Sequence, residues 1–244
     1  MGAVLAWLSL TFMSMPAVET SEPAMQGMPS IVSPVLWAPS YAFMVCAMWA
    51  IMMVAMMLPS AAPMILLYAR VAAQAPRETS MLAPTFVFAG TYVALWSVFA
   101  IIATSLQWAL SGLHVVSDVT MAVGDRRIGG ALLLVTGLYQ LTPLKRICLD
   151  NCRSPLSFLT ARWRPGINGA VRLGLAHGAY CVGCCWLLMA LLFVGGVMNL
   201  IWVAAIAIIV LIEKTVPFGD RVGRIAGGLA ILAGLTLIVV PTLV

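Results

Sequence analysis

The chain has 244 residues, 63% of them hydrophobic and 9% charged, with a mean hydropathy of +1.06 and a net charge of +5. A soluble domain carries about 25% charged residues, so a water-soluble particle and a disordered chain are both excluded, and six cysteines are too few for a disulfide-stapled secreted fold. What remains is an all-α fold, a polytopic transmembrane helix bundle.

A spanning helix needs about 20 mostly apolar residues. Seven stretches approach that size, over 1–16, 41–68, 84–110, 127–142, 172–194, 198–213 and 222–242; six spans is the alternative. Ser14-Met15-Pro16-Ala17 resembles a signal-peptide cleavage region. No positive segment precedes it, so a retained first helix is expected. The chain then divides into an N-terminal helix and outward-facing loop, 1–40, and a metal-binding bundle, 41–244. Pro59 and Pro63 should kink the second stretch or end it near Leu58, and if it ends there 59–68 is an interfacial continuation. Gly195-Gly196 should divide the long apolar run 172–213 into two antiparallel helices. Gly174 and Gly178, then Gly219, Gly223 and Gly227, recur every four residues and mark packing faces.

The cations give an orientation. With loops assigned alternately, one side receives Arg70, Arg77, Lys145, Arg146, Arg153, Arg162, Arg164, Arg172, Lys214, Arg221 and Arg224. The other receives only Arg126 and Arg127. The positive-inside rule puts the larger group, and with it the N-terminus, in the cytoplasm. The charge is therefore a topology signal with no nucleic-acid footprint, and the basic 143–172 loop would also attract anionic lipid.

Three groups of residues carry candidate chemistry. His177, Cys181 and Cys184 lie at i, i+4 and i+7, within a sector of about 60° on a helix, with Cys185 and Met189 further round. Imidazole and thiols in that pattern suit Cu(I), with Zn as the second metal. A lone buried cysteine is only a small hydrophobe, but three within five residues beside an intramembrane histidine point to function. Cys148 and Cys152, at i and i+4 in a short segment between Pro143 and Ser154-Pro155, form a second group. Cytosolic thiols stay reduced, and Lys145, Arg146 and Arg153 beside them should lower their pKa. Such a pair reads equally as metal ligands, as redox thiols or, in a eukaryote, as a palmitoylation site. The third group is the methionine cluster Met44, Met48, Met52, Met53, Met56, Met57 and Met64. Met44, Met48, Met52 and Met56, spaced by four, form one stripe of thioethers. Alone the stripe reads as packing, and beside the cysteines it gains weight as a Cu(I) path. Met13, Met15, Met25 and Met28 add thioethers near the outer face.

Weaker signals read blandly. His114 and Asp118 form a solvated polar face, Glu213 and Lys214 neutralise each other near the interface, and Tyr139, Trp186 and Trp202 are packing aromatics. No Walker, Rossmann, zincin or serine-hydrolase motif is present, so neither an ATP-driven pump nor a soluble-type enzyme has support.

Four ordered motifs carry a resemblance: Met48 through Ser60; Gly137 through Lys145 with Cys148 and Cys152-Arg153-Ser154-Pro155; His177-Gly178 through Cys181-Val182-Gly183-Cys184-Cys185-Trp186; and Glu213-Lys214. Over about 40–240 the chain resembles a bacterial family of predicted metal-binding integral membrane proteins, some described as copper chaperones. The resemblance implies a bacterial inner-membrane location and a link to copper.

The expectation is a Cu(I) carrier in which metal passes along the methionine stripe (Met48, Met52, Met56) to His177, Cys181, Cys184 and Cys185, with exchange at Cys148 and Cys152, or travels the same route in the opposite direction. Its partners would be the lipid bilayer and a periplasmic or cytoplasmic metallochaperone or copper-enzyme subunit. Two other readings stand beside it. One is a membrane thiol–disulfide oxidoreductase built on Cys181-Val182-Gly183-Cys184 and the Cys148/Cys152 pair. The other is an accessory or assembly subunit of a copper membrane enzyme.

Overall fold

The computed structural model describes residues 37–74, 82–117 and 120–240. The first expected span, Met13, Met15, Met25, Met28 and Asp118 lie outside the described residues. The described chain runs α1 (Pro39–Ala73), α2 (Leu82–Gly112), α3 (Arg126–Gln140), α4 (Pro143–Arg153), α5 (Pro155–Arg162), α6 (Gly166–Ala190), α7 (Leu192–Gly195), α8 (Leu200–Thr215) and α9 (Gly219–Val239). Among the described residues there is no named strand, only an isolated bridge between Val116 and Val123. The all-α bundle expected from the sequence is the observed fold.

Local sequence sets the helix starts. Asp125 accepts the backbone N–H groups of Arg127 and Ile128 and so caps α3. Thr142 accepts from Lys145 N, with Pro143 in the first turn, to begin α4 only two residues after α3 ends. Asn199 accepts from Trp202 N to begin α8. The basic loop expected over 143–172 is thus largely helical.

Among the described residues, four segments are long and apolar enough to cross a membrane: α1, Ala83–Gly112, Gly166–Gly195 and α9. The fourth and sixth expected spans are present as α3 and α8, with 15 and 16 residues. At 1.5 Å per residue they reach about 22–24 Å, short of a hydrocarbon core of about 30 Å. Large apolar side chains such as Phe43, Phe86, Leu113 and Ile201 point outward, more than 70% exposed. That surface suits lipid and not water.

α1 corrects one expectation. It does not end near Leu58 but continues through both prolines to Ala73, and Met64, Tyr68 and Ala72 are buried against Phe88, Phe158 and Leu173, not left at an interface. Within that stretch Ser60 Oγ and Tyr92 Oη, from its own and a neighbouring helix, both donate to Met57 O, at 2.9 and 3.3 Å. The Gly195-Gly196 division is observed. The chain reverses through Gly196 at φ +87°, and Trp202 packs on Gly195 while donating to Leu191 O at 2.8 Å.

Glycines set the closest helix approaches. Gly174 meets Phe88 O of α2 and Gly227 meets Gln140 of α3, so the expected packing faces are real. The tightest seam pairs Gly130 with Gly234 and Gly137 with Gly227. A Cβ at Gly137 would stand 2.6 Å from Gly227 O.

Candidate metal centre

α6 carries the thiols. Its three buried cysteines face different neighbours, because successive helical residues turn by about 100°. Cys181 Sγ receives Lys214 Nζ of α8 at 2.9 Å and lies 3.0 Å from Tyr92 Oη of α2. Cys184 Sγ lies 4.0 Å from Cys152 Sγ of α4. Cys185 Sγ lies 3.9 Å from Met57 Sδ of α1 and 4.0 Å from Lys214 Nζ. The Cys184 and Cys185 thiols also donate to Cys181 O, at 3.1 and 2.8 Å. Cys148 approaches through Gly183, where a Cβ would meet its Sγ at 2.9 Å. The two cysteine groups of the sequence are therefore one cluster, assembled where α1, α2, α4, α6 and α8 meet. All these cysteines are free thiols.

α4 is tied to α3, α8 and α9 by polar anchors on either side of its thiols. Lys145 Nζ donates to Glu213 Oε2 at 2.7 Å and to Gln140 Oε1, and Gln140 Nε2 donates to Glu213 Oε1 at 2.9 Å. Gly223 leaves room for this network, since a Cβ there would stand 2.7 Å from Glu213 Oε1. At the other end Arg153 pairs with Asp220 and donates to Val216 O and Pro217 O at 2.9 and 2.7 Å. Glu213 and Lys214 do not neutralise each other. Adjacent residues on a helix face different ways, so Glu213 takes Lys145 while Lys214 reaches Cys181.

The cations beside Cys148 and Cys152 do not lower their pKa. Lys145 and Arg153 are bound to carboxylates. Burial, then Cys184, pushes the Cys148 thiol up. Contacts with Cys181 and Cys184, then burial, hold Cys152 well above the usual thiol range.

The contacts that place His177 are with aromatic rings. It is 3% exposed and lies against the rings of Phe88, Tyr92 and Phe158, with centroids 5.6–6.1 Å away. Its Nδ1 is buried without a hydrogen-bond partner among the described residues. Tyr92 connects the two places, its ring against His177 and its Oη at Cys181.

The methionines are mostly interior. Met48, Met52 and Met56 are buried with Met53, Met57 and Met64, whereas Met44, at the start of the stripe, is 58% exposed. The thioether placed against a thiol is Met57, one residue beyond the stripe. Sequence reasoning also passed over Tyr92, Ser60, which accepts from Lys214 Nζ at 3.3 Å, and the reach of Lys214 itself. The available signal for Lys214 was a cation at the end of an apolar helix, which required explanation.

Among the described residues no three His, Cys, Asp or Glu groups are gathered as a closed metal site; the soft donors stand in pairs. Pairs suit Cu(I), a soft ion that thiolate and thioether donors select and that is stable with two or three ligands. An ion bonded to two sulfurs at about 2.3 Å each keeps them within about 4.6 Å, and both the Cys152–Cys184 and Cys185–Met57 separations fall inside that limit. A family model described as PpoB2: Copper chaperone matches residues 46–237. Comparisons with curated proteins and with solved structures find no match.

Proposed function

The chain belongs to the PpoB2 copper chaperone family, and on that premise we propose that it holds Cu(I) as cargo within a membrane and passes it between partners. The observation that carries this reading is the convergence of Cys152, Cys181, Cys184 and Cys185 with Met57 at one buried junction. Sulfur donors in pairs let the ion move by ligand exchange, gaining one sulfur as it leaves another, with no nucleotide hydrolysed.

In this reading Met48, Met52, Met56 and Met57 lead to the cluster from one end of α1. Cys148 and Cys152 on α4 hand cargo on, and His177 receives it on the side toward the basic end. Lys214 occupies the place beside Cys181 where a monovalent cation would sit, and so balances the cluster's charge when cargo is absent. The protein lies in a bacterial inner membrane with its Arg-rich end in the cytoplasm, where a metallochaperone or copper-enzyme subunit supplies or takes the ion.

The test is copper retention by the full chain, loaded anaerobically with Cu(I) and desalted. Cys181→Ser combined with Cys184→Ser should weaken binding by at least about 10–100-fold, the loss that even outer-shell partners of a metal produce. X-ray absorption of the unaltered protein should show sulfur-dominated two- or three-coordinate Cu(I). Unchanged copper in the double variant would reject the cluster as the site.

A further inference from the structure

The sequence offers Cys181-Val182-Gly183-Cys184 as the obvious redox pair. The fold instead gives each of these thiols a different role. Cys181 Sγ is taken by Lys214 and Tyr92 at 2.9 and 3.0 Å. Cys185 faces Met57. Both Cys181 and Cys184 lie in the interior of a 25-residue helix. Residues at i and i+3 on a helix hold their Cβ atoms about 5–6 Å apart, whereas a disulfide needs about 3.8 Å. Closing that pair would require the helix to distort.

We propose that Cys152 and Cys184 are a redox-active dithiol, oxidised by low-molecular-weight disulfides, and that closing it withdraws two donors from the copper cluster. The second half rests on the copper reading above; the first does not. Their sulfurs lie 4.0 Å apart on separate helices. Gly183 brings α6 so close to α4 that a Cβ there would touch Cys148 Sγ at 2.9 Å, so the two helices that carry Cys152 and Cys184 are packed in direct contact. Access is one-sided in the right way. Cys152 is half-buried while Cys184 is buried, so of the two Cys152 is the nearer to an incoming oxidant and Cys184 is the one placed to resolve it.

The step balances. Cys152 gives its proton to water and attacks one sulfur of R–S–S–R, and one RS⁻ leaves and is protonated to RSH. Cys184 loses its proton and attacks the Cys152 sulfur of the mixed disulfide, releasing the second RSH. Two protein thiols are oxidised to one disulfide, and the two electrons reduce R–S–S–R to two thiols.

The experiment uses the purified, reduced, copper-free full chain with excess glutathione disulfide. Remaining thiols are blocked with N-ethylmaleimide and the peptides mapped by mass spectrometry. The expected result is a peptide pair linked through Cys152 and Cys184, present in the unaltered protein and in Cys46→Ser, and absent in Cys152→Ser and Cys184→Ser. Prior loading with Cu(I) should slow its formation at least about tenfold. A chain that keeps all its thiols, or that links Cys181 to Cys184 or Cys148 to Cys184, overturns the proposal without reference to any variant's folding. A chain that forms the Cys152–Cys184 link but takes up no copper keeps the dithiol and refutes the cargo reading.

Discussion

His177 shows how much a single residue can carry. A buried polar atom with no partner costs about 1–3 kcal/mol, and Nδ1 of His177 is such an atom, in a pocket of three aromatic rings. A ring needed only for packing would do better as phenylalanine. His177→Phe should therefore raise the thermal unfolding temperature, by the equivalent of about 1 kcal/mol or more, and at the same time lower the rate at which Cu(I) loads. A gain in stability with unchanged loading would make His177 a packing residue. Lys214 illustrates the converse. Its neighbour in sequence, Glu213, offered an easy neutralisation, but helical geometry turns the two side chains apart. The ammonium ends 2.9 Å from Cys181.

At the scale of elements, α4 matters most, because it brings two thiols to α6 yet is only 11 residues long. So short a helix is marginal by itself, and its place depends on the Lys145–Glu213–Gln140 network and on Arg153 with Asp220. Removing one partner of a buried ion pair costs about 3–5 kcal/mol because the other charge is left uncompensated. Glu213→Gln should lower stability by that order in thermal unfolding. It should also speed maleimide labelling of Cys148 as α4 loosens, while Glu213→Asp, which keeps the charge, should label more slowly than Glu213→Gln. Equal labelling in all three proteins would show that α4 is seated by packing alone. The glycine seam of α3 and α9 was only half readable. The spacing of Gly219, Gly223 and Gly227 marked one face, but the matching of Gly137 to Gly227 and Gly130 to Gly234 depends on two helices meeting with a given register.

At the scale of the whole molecule, the cations gather at helix ends. α6 begins beside Arg164 and carries Arg172, α9 carries Arg221 and Arg224 in its first turns, and α1 ends with Arg70. Cys148 and Cys152 lie on α4, flanked by Lys145, Arg146 and Arg153, and Arg153 ties that helix to the start of α9 through Asp220. On the proposed orientation, a membrane-impermeant maleimide should label the partly exposed Cys148 in inverted bacterial membrane vesicles. It should leave Cys148 unlabelled in right-side-out vesicles. The reverse pattern would invert the orientation and the assignment of the delivering face.

The sequence by itself determined the class of this protein. Its apolar excess leaves only a helix bundle, because too few polar side chains are present to coat a particle in water. Its motifs also pointed to the residues that supply soft donors, since thiols and thioethers are identified by type alone. The tertiary structure decided which donors meet. Spacing along one helix put His177, Cys181 and Cys184 on a shared stripe, but each turn of that helix faces a different neighbour. His177 went to aromatic rings, Cys181 to Lys214 and Tyr92, Cys184 to Cys152 and Cys185 to Met57. Periodicity ranks residues around one axis, whereas the contacts of a side chain depend on the crossing, depth and register of the helices packed against it, and those are properties of the assembled bundle.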